Sequence, residues 1–371
     1  MRQGGPIQSA GPAGSVSGMV FVQDTQRPAR FAQVMLQSVA TASSQGGDRF
    51  GGGFGGGSEG RTEVDGTFTI TGVAPGDYYV TAGAAGYIPE RALLQAAVAA
   101  GADPTALLAS IPVVHVVADA TSSINVTLQR GGALSGHVVW EDGSPATGIP
   151  VMAVLNVAAA TLPDSLQMIR SPGAGSSSAL TDDRGVFRIA GMAAGDYLLE
   201  AVIQNRGQFG GFGGRGQQSI STVRVYAPGV FHKAAAKAVT VHAGEERDDV
   251  AMTIDLHGLH TVAGHASSAG AGQNIASGRV TLTDPTDSAL QLMGSIQADG
   301  TFTVRYVPPG SYTMQISGAS TQANSGFGGR GRGGGTSSSG TSFQPLSMAI
   351  TVTDGDLTGV AAMLTPTQTT P

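Results

Sequence analysis

Apolar and polar residues alternate along most of this chain, and a period of two predicts half-buried strands. The plainest run is residues 65–82, DGTFTITGVAPGDYYVTA. Phe68 and Ile70 alternate with Thr67, Thr69 and Thr71, and Tyr78, Val80 and Ala82 resume the alternation after Ala74-Pro75-Gly76. The reading is a strand, a tight turn and a second strand, a hairpin entered through Asp65-Gly66. Glycine serves such turns because it tolerates a positive φ. The same pattern returns at 184–201, RGVFRIAGMAAGDYLLEA, and at 299–316, DGTFTVRYVPPGSYTMQI. Gly66, Gly185 and Gly300 each stand ten residues before Gly76, Gly195 and Gly310, and Phe68, Phe187 and Phe302 stand ten before Tyr78, Tyr197 and Tyr312. A repeat of this length is a domain rather than a solenoid unit. These twelve residues are read as a structural corner, with each tyrosine hydroxyl bonded back to turn backbone.

The flanking pattern fills in each copy. In the first, 15–22 and 30–37 read as opening strands, 89–100 as a short helix, and 111–118 and 122–128 as closing strands. In the second, 133–140 and 149–154 open, 158–179 is a long loop, and 239–241 and 250–254 close. In the third, 262–266 and 279–283 open, and 350–352 and 360–364 close. Ser17-Gly18, Ser135-Gly136 and Gly264 align within the opening strands. Gly-rich inserts lie at 40–60, 206–217 and 325–335. The expected domains are 12–130, 131–257 and 258–366, with flexible tails at 1–11 and 367–371.

The shared pattern DGxFxIxGVxPGxYxV resembles the carboxypeptidase regulatory-like domain family, three units in tandem over nearly the whole chain. The resemblance implies an all-β chain of three antiparallel Greek-key sandwiches, transthyretin-like or Ig-like, grouped with carbohydrate-binding-like folds. It also implies an extracytoplasmic protein, periplasmic, outer-membrane-associated or secreted, although the N-terminus MRQGGPIQSAGPAG has no apolar signal region. One sandwich hosts many roles, so fold does not give function.

Composition narrows the field. Among 371 residues, 57 are Gly and charged residues make up 12%, which suits an all-β protein with many turns. No Cys is present, so disulfides and cysteine metal sites are excluded. No uninterrupted apolar stretch would span a membrane as a helix. A net charge of −6 argues against a nucleic-acid partner. Arg206, Arg215, Arg330 and Arg332 sit in the Gly-rich inserts, which read as loops rather than nucleic-acid-binding segments.

Candidate chemistry dissolves into the repeat. His242-Ala-Gly-Glu245 spells a zinc-ligand spacing, with His257 and His260 downstream, but His242 aligns with Thr353 of the third copy and reads as a strand–turn residue. His137 and His265 have the parity of outward-facing positions. The turn residues Asp65, Asp182, Asp183 and Asp299 fall short of a calcium loop. Lys233 and Lys237 are the only lysines, so a Lys–Asn cross-link cannot recur in each unit. No Ser-His-Asp or paired-carboxylate arrangement stands out, so no catalytic, cofactor or metal residue is expected and the chain reads as no enzyme. Trp140 shares parity with Val138 and reads as core. Tyr79, Tyr87 and Tyr226 remain as exposed rings able to stack on sugar.

The expected function is a structural or interaction module of a bacterial envelope or secreted protein, with a carbohydrate-binding module as the alternative. Polysaccharide or another envelope protein is the expected partner class. The chain is expected to be monomeric or part of a longer one.

Overall fold

The structure is a computed structural model and describes residues 13–39, 57–157, 162–172, 177–205, 221–270, 274–322 and 340–367. The protein is an all-β chain of Ig-like sandwiches, and its described residues form six sheets arranged in three pairs.

The first pair uses β1 (Gly14–Val22), β2 (Gln33–Ser38), β3 (Gly57–Arg61), β4 (Thr67–Val73) and β5 (Gly76–Gly83), then helices α1 (Glu90–Ala99) and α2 (Pro104–Ser110), then β6 (Val113–Val116), β7 (Thr121–Ser123) and β8 (Val126–Leu128). β1 lies between β4 and the two short strands β7 and β8, and the second sheet runs β3-β2-β5-β6.

The second pair uses β9 (Gly132–Trp140), β10 (Pro150–Leu155), helix α3 (Asp164–Gln167), β11 (Ser178–Leu180), β12 (Val186–Met192), β13 (Gly195–Asn205), β14 (Ser221–Tyr226), β15 (Val239–Val241) and β16 (Glu246–Ile254). Its sheets are β12-β9-β16 and β11-β10-β13-β14, and β15 also pairs with β13. The third pair uses β17 (His260–Ser268), β18 (Ser277–Asp284), β19 (Asp287–Ser295), β20 (Thr301–Val307), β21 (Gly310–Ser320), β22 (Leu346–Val352) and β23 (Leu357–Leu364), as β20-β17-β23 and β19-β18-β21-β22.

Among the described residues all ladders are antiparallel but one kind: the opening strand pairs in parallel with the closing strand in each unit, β1 with β7 and β8, β9 with β16, β17 with β23. Each pair of sheets encloses its own apolar core. The alternation places Phe68, Ile70, Tyr78, Val80 and Ala82 in the first core, and their counterparts from Phe187 and Tyr197, and from Phe302 and Tyr312, in the others.

Three expectations are corrected. The repeated segment is not a hairpin. β4 pairs with β1 while β5 pairs with β2, so the turn at Ala74-Pro75 carries the chain from one sheet to the other. β12 and β13 divide in the same way, as do β20 and β21. The crossing sets the apolar faces of the two strands opposite one another across one core. Second, residues 57–60 belong to a strand rather than an insert. β3, β11 and β19 each border their sheet, and β3 and β11 are short and poor in large apolar residues, as edge strands tend to be. Third, the loop at 158–179 contains α3 and the start of β11, and α2 follows α1. The remaining residues of the inserts, at 40–56, 206–217 and 325–335, lie outside the described residues, as do Arg206, Arg215, Arg330 and Arg332 and most of the two tails. Among the described residues no helix is long and apolar enough to cross a membrane.

Candidate functional site

Each repeated residue has a definite neighbour. In register, Gly18 lies opposite Phe68, Gly136 opposite Phe187 and Gly264 opposite Phe302. The glycines have core parity, on the same face as the buried valines, leucine and alanine two residues away in their strands. A Cβ on them would strike backbone of the parallel closing strand: 1.7 Å from the Ile124 oxygen, 2.0 Å from that of Val250 and 2.2 Å from that of Val360. The first closing strand divides near Ile124, and the others shift register beside Val250 and Val360. In the first and third units the ring opposite reaches the space that the missing side chain leaves, with Phe68 Cε1 3.1 Å and Phe302 Cζ 2.5 Å from where the Cβ would stand.

The tyrosine hydroxyls reach back four residues. Tyr78 Oη donates to the Ala74 carbonyl at 2.9 Å, Tyr197 to Ala193 at 2.8 Å and Tyr312 to Pro308 at 2.8 Å. Burial pushes the hydroxyls of Tyr197 and Tyr312 up, so both stay neutral donors. Gly66, Gly185 and Gly300 have φ of 83°, 74° and 83°. Gly76 and Gly195, at 146° and 157°, lie in a region that side-chain-bearing residues rarely adopt, and Gly310 does not. Left-handed backbone is therefore not what these three share. Their shared neighbour is the tyrosine two residues on, whose Cε2 stands 3.5–3.9 Å from where each Cβ would be.

The turn carboxylates are occupied by their own turns. Asp65 accepts from the Thr67 amide and hydroxyl, Asp299 does the same with Thr301, and Asp182 accepts from the Arg184 and Val186 amides. These bonds hold all three carboxyls below the usual range, led by the Thr67 hydroxyl, the Val186 amide and the Thr301 hydroxyl respectively.

The candidate histidines are scattered. His137, His242 and His265 are exposed. His242 Nε2 stands 4.0 Å from Glu245 Oε2, whose carboxylate accepts from the His242 amide. His257 turns instead to Asp255 and Glu141, a group exposed throughout.

The three tyrosines expected to be exposed are not. Tyr226 is 3% exposed, because β14 is covered by β19 of the third unit, and its hydroxyl donates to Asp287. Tyr79 is half-buried against the helices, and Tyr87 is half-buried on the first core beneath the Arg130 guanidinium. They form no common platform. Trp140 packs on the second core.

What sequence reasoning did not reach is the two junctions. At the first, residues 162–172 of the second unit dock on the first. Gln37 donates to the Met168 carbonyl and accepts from the Arg170 amide, while Thr81 donates to the Arg170 carbonyl. Arg91 donates to the Gln167 carbonyl. Leu94 and Ile111 bury against Leu162, Leu166 and Ile169. One signal was legible: Asp103-Pro104 opens α2, and the Asp103 carboxylate accepts from the Thr105 and Ala106 amides. Beside this junction lies a cleft of about 390 Å³ lined in part by Arg91, Gln95, Leu155, Ser171, Met192 and Tyr197. Among the described residues that line it, none is a carboxylate or a histidine.

The second junction is polar at its centre. His232 lies in the connection from β14 to β15, with Nδ1 2.9 Å from Asp284 Oδ2 and Nε2 2.8 Å from the Pro309 carbonyl. Tyr306 of the third unit packs on the second core, together with Leu256 and Leu259. Tyr306 has φ of 62°, a conformation costly for a bulky side chain.

These sheets define the class, an all-β protein of Ig-like sandwiches. A scan of protein-family models and a search of curated proteins return no match. Solved structures similar to the chain include a streptococcal ancillary pilin (11% identity, TM-score 0.28, 95% of this chain and 99% of that one). The major pilin subunit BcpA of Bacillus cereus is 10% identical with a TM-score of 0.21 over 96% of this chain and 100% of that one. The Bacillus anthracis TIE protein is 11% identical with a TM-score of 0.22, and the match covers 96% of this chain but only 51% of that protein. At these scores the likeness carries no argument about role, and the fold rests on the chain's own strands.

Proposed function

We propose that the chain is a non-enzymatic structural module of a bacterial cell-envelope or secreted protein. Three carboxypeptidase regulatory-like sandwiches, at 12–130, 131–257 and 258–366, would act as a spacer whose outer surface is free for partners. The observation that carries this reading is that neither junction is a free linker. β8 ends at Leu128 and β9 begins at Gly132, β16 ends at Ile254 and β17 begins at His260, and side chains interlock across both gaps. A spacer needs fixed relations between its units, and packed junctions supply them. The absence of cysteine makes the test direct. Spin labels at Glu63→Cys and Gln297→Cys, in the first and third units, should give one narrow distance distribution in the full chain. A broad distribution, that of beads on a string, would overturn the spacer reading.

A further inference from the structure

The two junctions differ in chemistry. The first is held by aliphatic side chains and by bonds that do not titrate near neutral pH. The second has an imidazole between two acceptors. The Pro309 carbonyl can only accept, so Nε2 must carry a proton. Asp284 Oδ1 accepts from the Thr286 amide at 2.7 Å and from its hydroxyl at 2.6 Å, an arrangement suited to an ionised carboxylate. An ionised Oδ2 also only accepts, so Nδ1 must carry a proton too. Both contacts are made together only by the imidazolium. Burial pushes the Asp284 carboxyl up, but the bonds from Thr286 and His232 outweigh it and leave it below its usual range.

We propose that His232 is a pH-sensitive pin between the second and third units, locking the junction when protonated and releasing it when neutral. Asp284 is 5% exposed, and a neutral ring carries only one N–H, so loss of the imidazolium leaves either this buried carboxylate or the Pro309 carbonyl facing a lone pair. Other groups around the pin are Asp287 and the Tyr226 hydroxyl that donates to it, the Tyr312 ring beside Gly310, the neighbouring Lys233, and the Arg224–Glu200 ion pair within β13 and β14. Burial pushes the hydroxyls of Tyr226 and Tyr312 far up, so neither gains charge as His232 loses it. Strain at Tyr306 marks the same junction as one held in place by its surroundings. Because both contacts are made together only by the protonated ring, acid favours docking of the two units and base weakens it.

The proposal rests on the unit boundaries given above, and the test separates the two ideas. In the full chain, one pair of spin labels at Asp248→Cys and Gln297→Cys spans the second junction, and another at Glu63→Cys and Asp248→Cys spans the first. Between pH 5.5 and pH 8.5 the second-junction distribution should lose its narrow peak and the first should not change. His232→Gln should abolish the pH dependence. Asp284→Asn should reverse it, because an amide NH₂ can donate to a neutral Nδ1 while its oxygen keeps the Thr286 bonds. A narrow distribution for the second junction at both pH values in the wild type overturns the pin alone. Broad distributions for both pairs at every pH overturn the spacer reading. An Asp284→Asn variant that behaves as wild type across the range also overturns the pin.

Discussion

Gly191 and Tyr306 hold the same place in two strands, both left-handed, with φ of 76° and 62°, and only one of them has a side chain. Both sit at an irregularity where β12 and β20 bulge against the opening strand. At Gly191 a Cβ would stand 2.6 Å from the Tyr87 carbonyl of the preceding unit. At Tyr306 the ring reaches the core of the preceding unit. One bulge is thus used twice as a docking point, once by backbone and once by a ring. Tyr306→Gly should relieve strain of about 1–2 kcal/mol but forfeit packing worth more. The expected net result is a lower denaturant midpoint for the full chain, and a higher one would show that the ring contributes little at the junction.

The opening-strand glycines admit no side chain. Gly136→Ala places a methyl 2.0 Å from the Val250 oxygen, and only movement of the parallel strand can relieve it. We expect a loss of about 1–3 kcal/mol, as for an overpacked core, measured by denaturant unfolding. Gly143→Ala, with open space around it but a φ of 81°, is the control for backbone strain without a clash.

Tyr197→Phe keeps the ring and removes the bond to Ala193, whose residue is 3% exposed. A buried carbonyl left unpaired should cost about 1–2 kcal/mol. Gly195→Val should cost more, because a φ of 157° is one that side-chain-bearing residues rarely adopt and its Cβ would also stand 2.8 Å from the end of the Leu155 side chain. Equal midpoints for wild type and Tyr197→Phe would remove the corner bond from the account of stability.

The first junction should behave as a core. Leu166 is fully buried among Leu94, Ile111 and Ile169. Leu166→Ala should destabilise the chain by about 2–4 kcal/mol and broaden the label distances across that junction at all pH values. A change of midpoint without broadening would make α3 a local support of the second unit only.

Acid should weaken the turns. The carboxyls of Asp65, Asp182 and Asp299 lie below their unfolded values, so each favours the fold above about pH 4 and loses that contribution as pH falls through its folded value. Thermal melting from pH 7 to pH 2.5 should show a decline at the acid end. Replacing the three by Asn, which keeps an acceptor oxygen, should flatten it, and an unchanged slope would assign the acid sensitivity elsewhere.

Alternation alone determined that this chain is a chain of strands, because only a pleated strand facing a core sorts Phe68, Ile70 and Tyr78, Val80 to one side. The repeated spacing determined that the same solution is used three times along the sequence. Pairing was not written there. Two strands joined by Ala74-Pro75 look the same on paper whether they lie in one sheet or cross to another, since both arrangements bury the same faces. The edge strand β3 was hidden by its composition, Gly-Ser-Glu-Gly-Arg, because an edge strand draws its bonds from one neighbour's backbone rather than from apolar side chains. The junctions were hidden for a different reason. Burial of Tyr226 and the position of His232 between Asp284 and Pro309 depend on one unit meeting another, and no local pattern records which surface a folded sandwich turns toward the next.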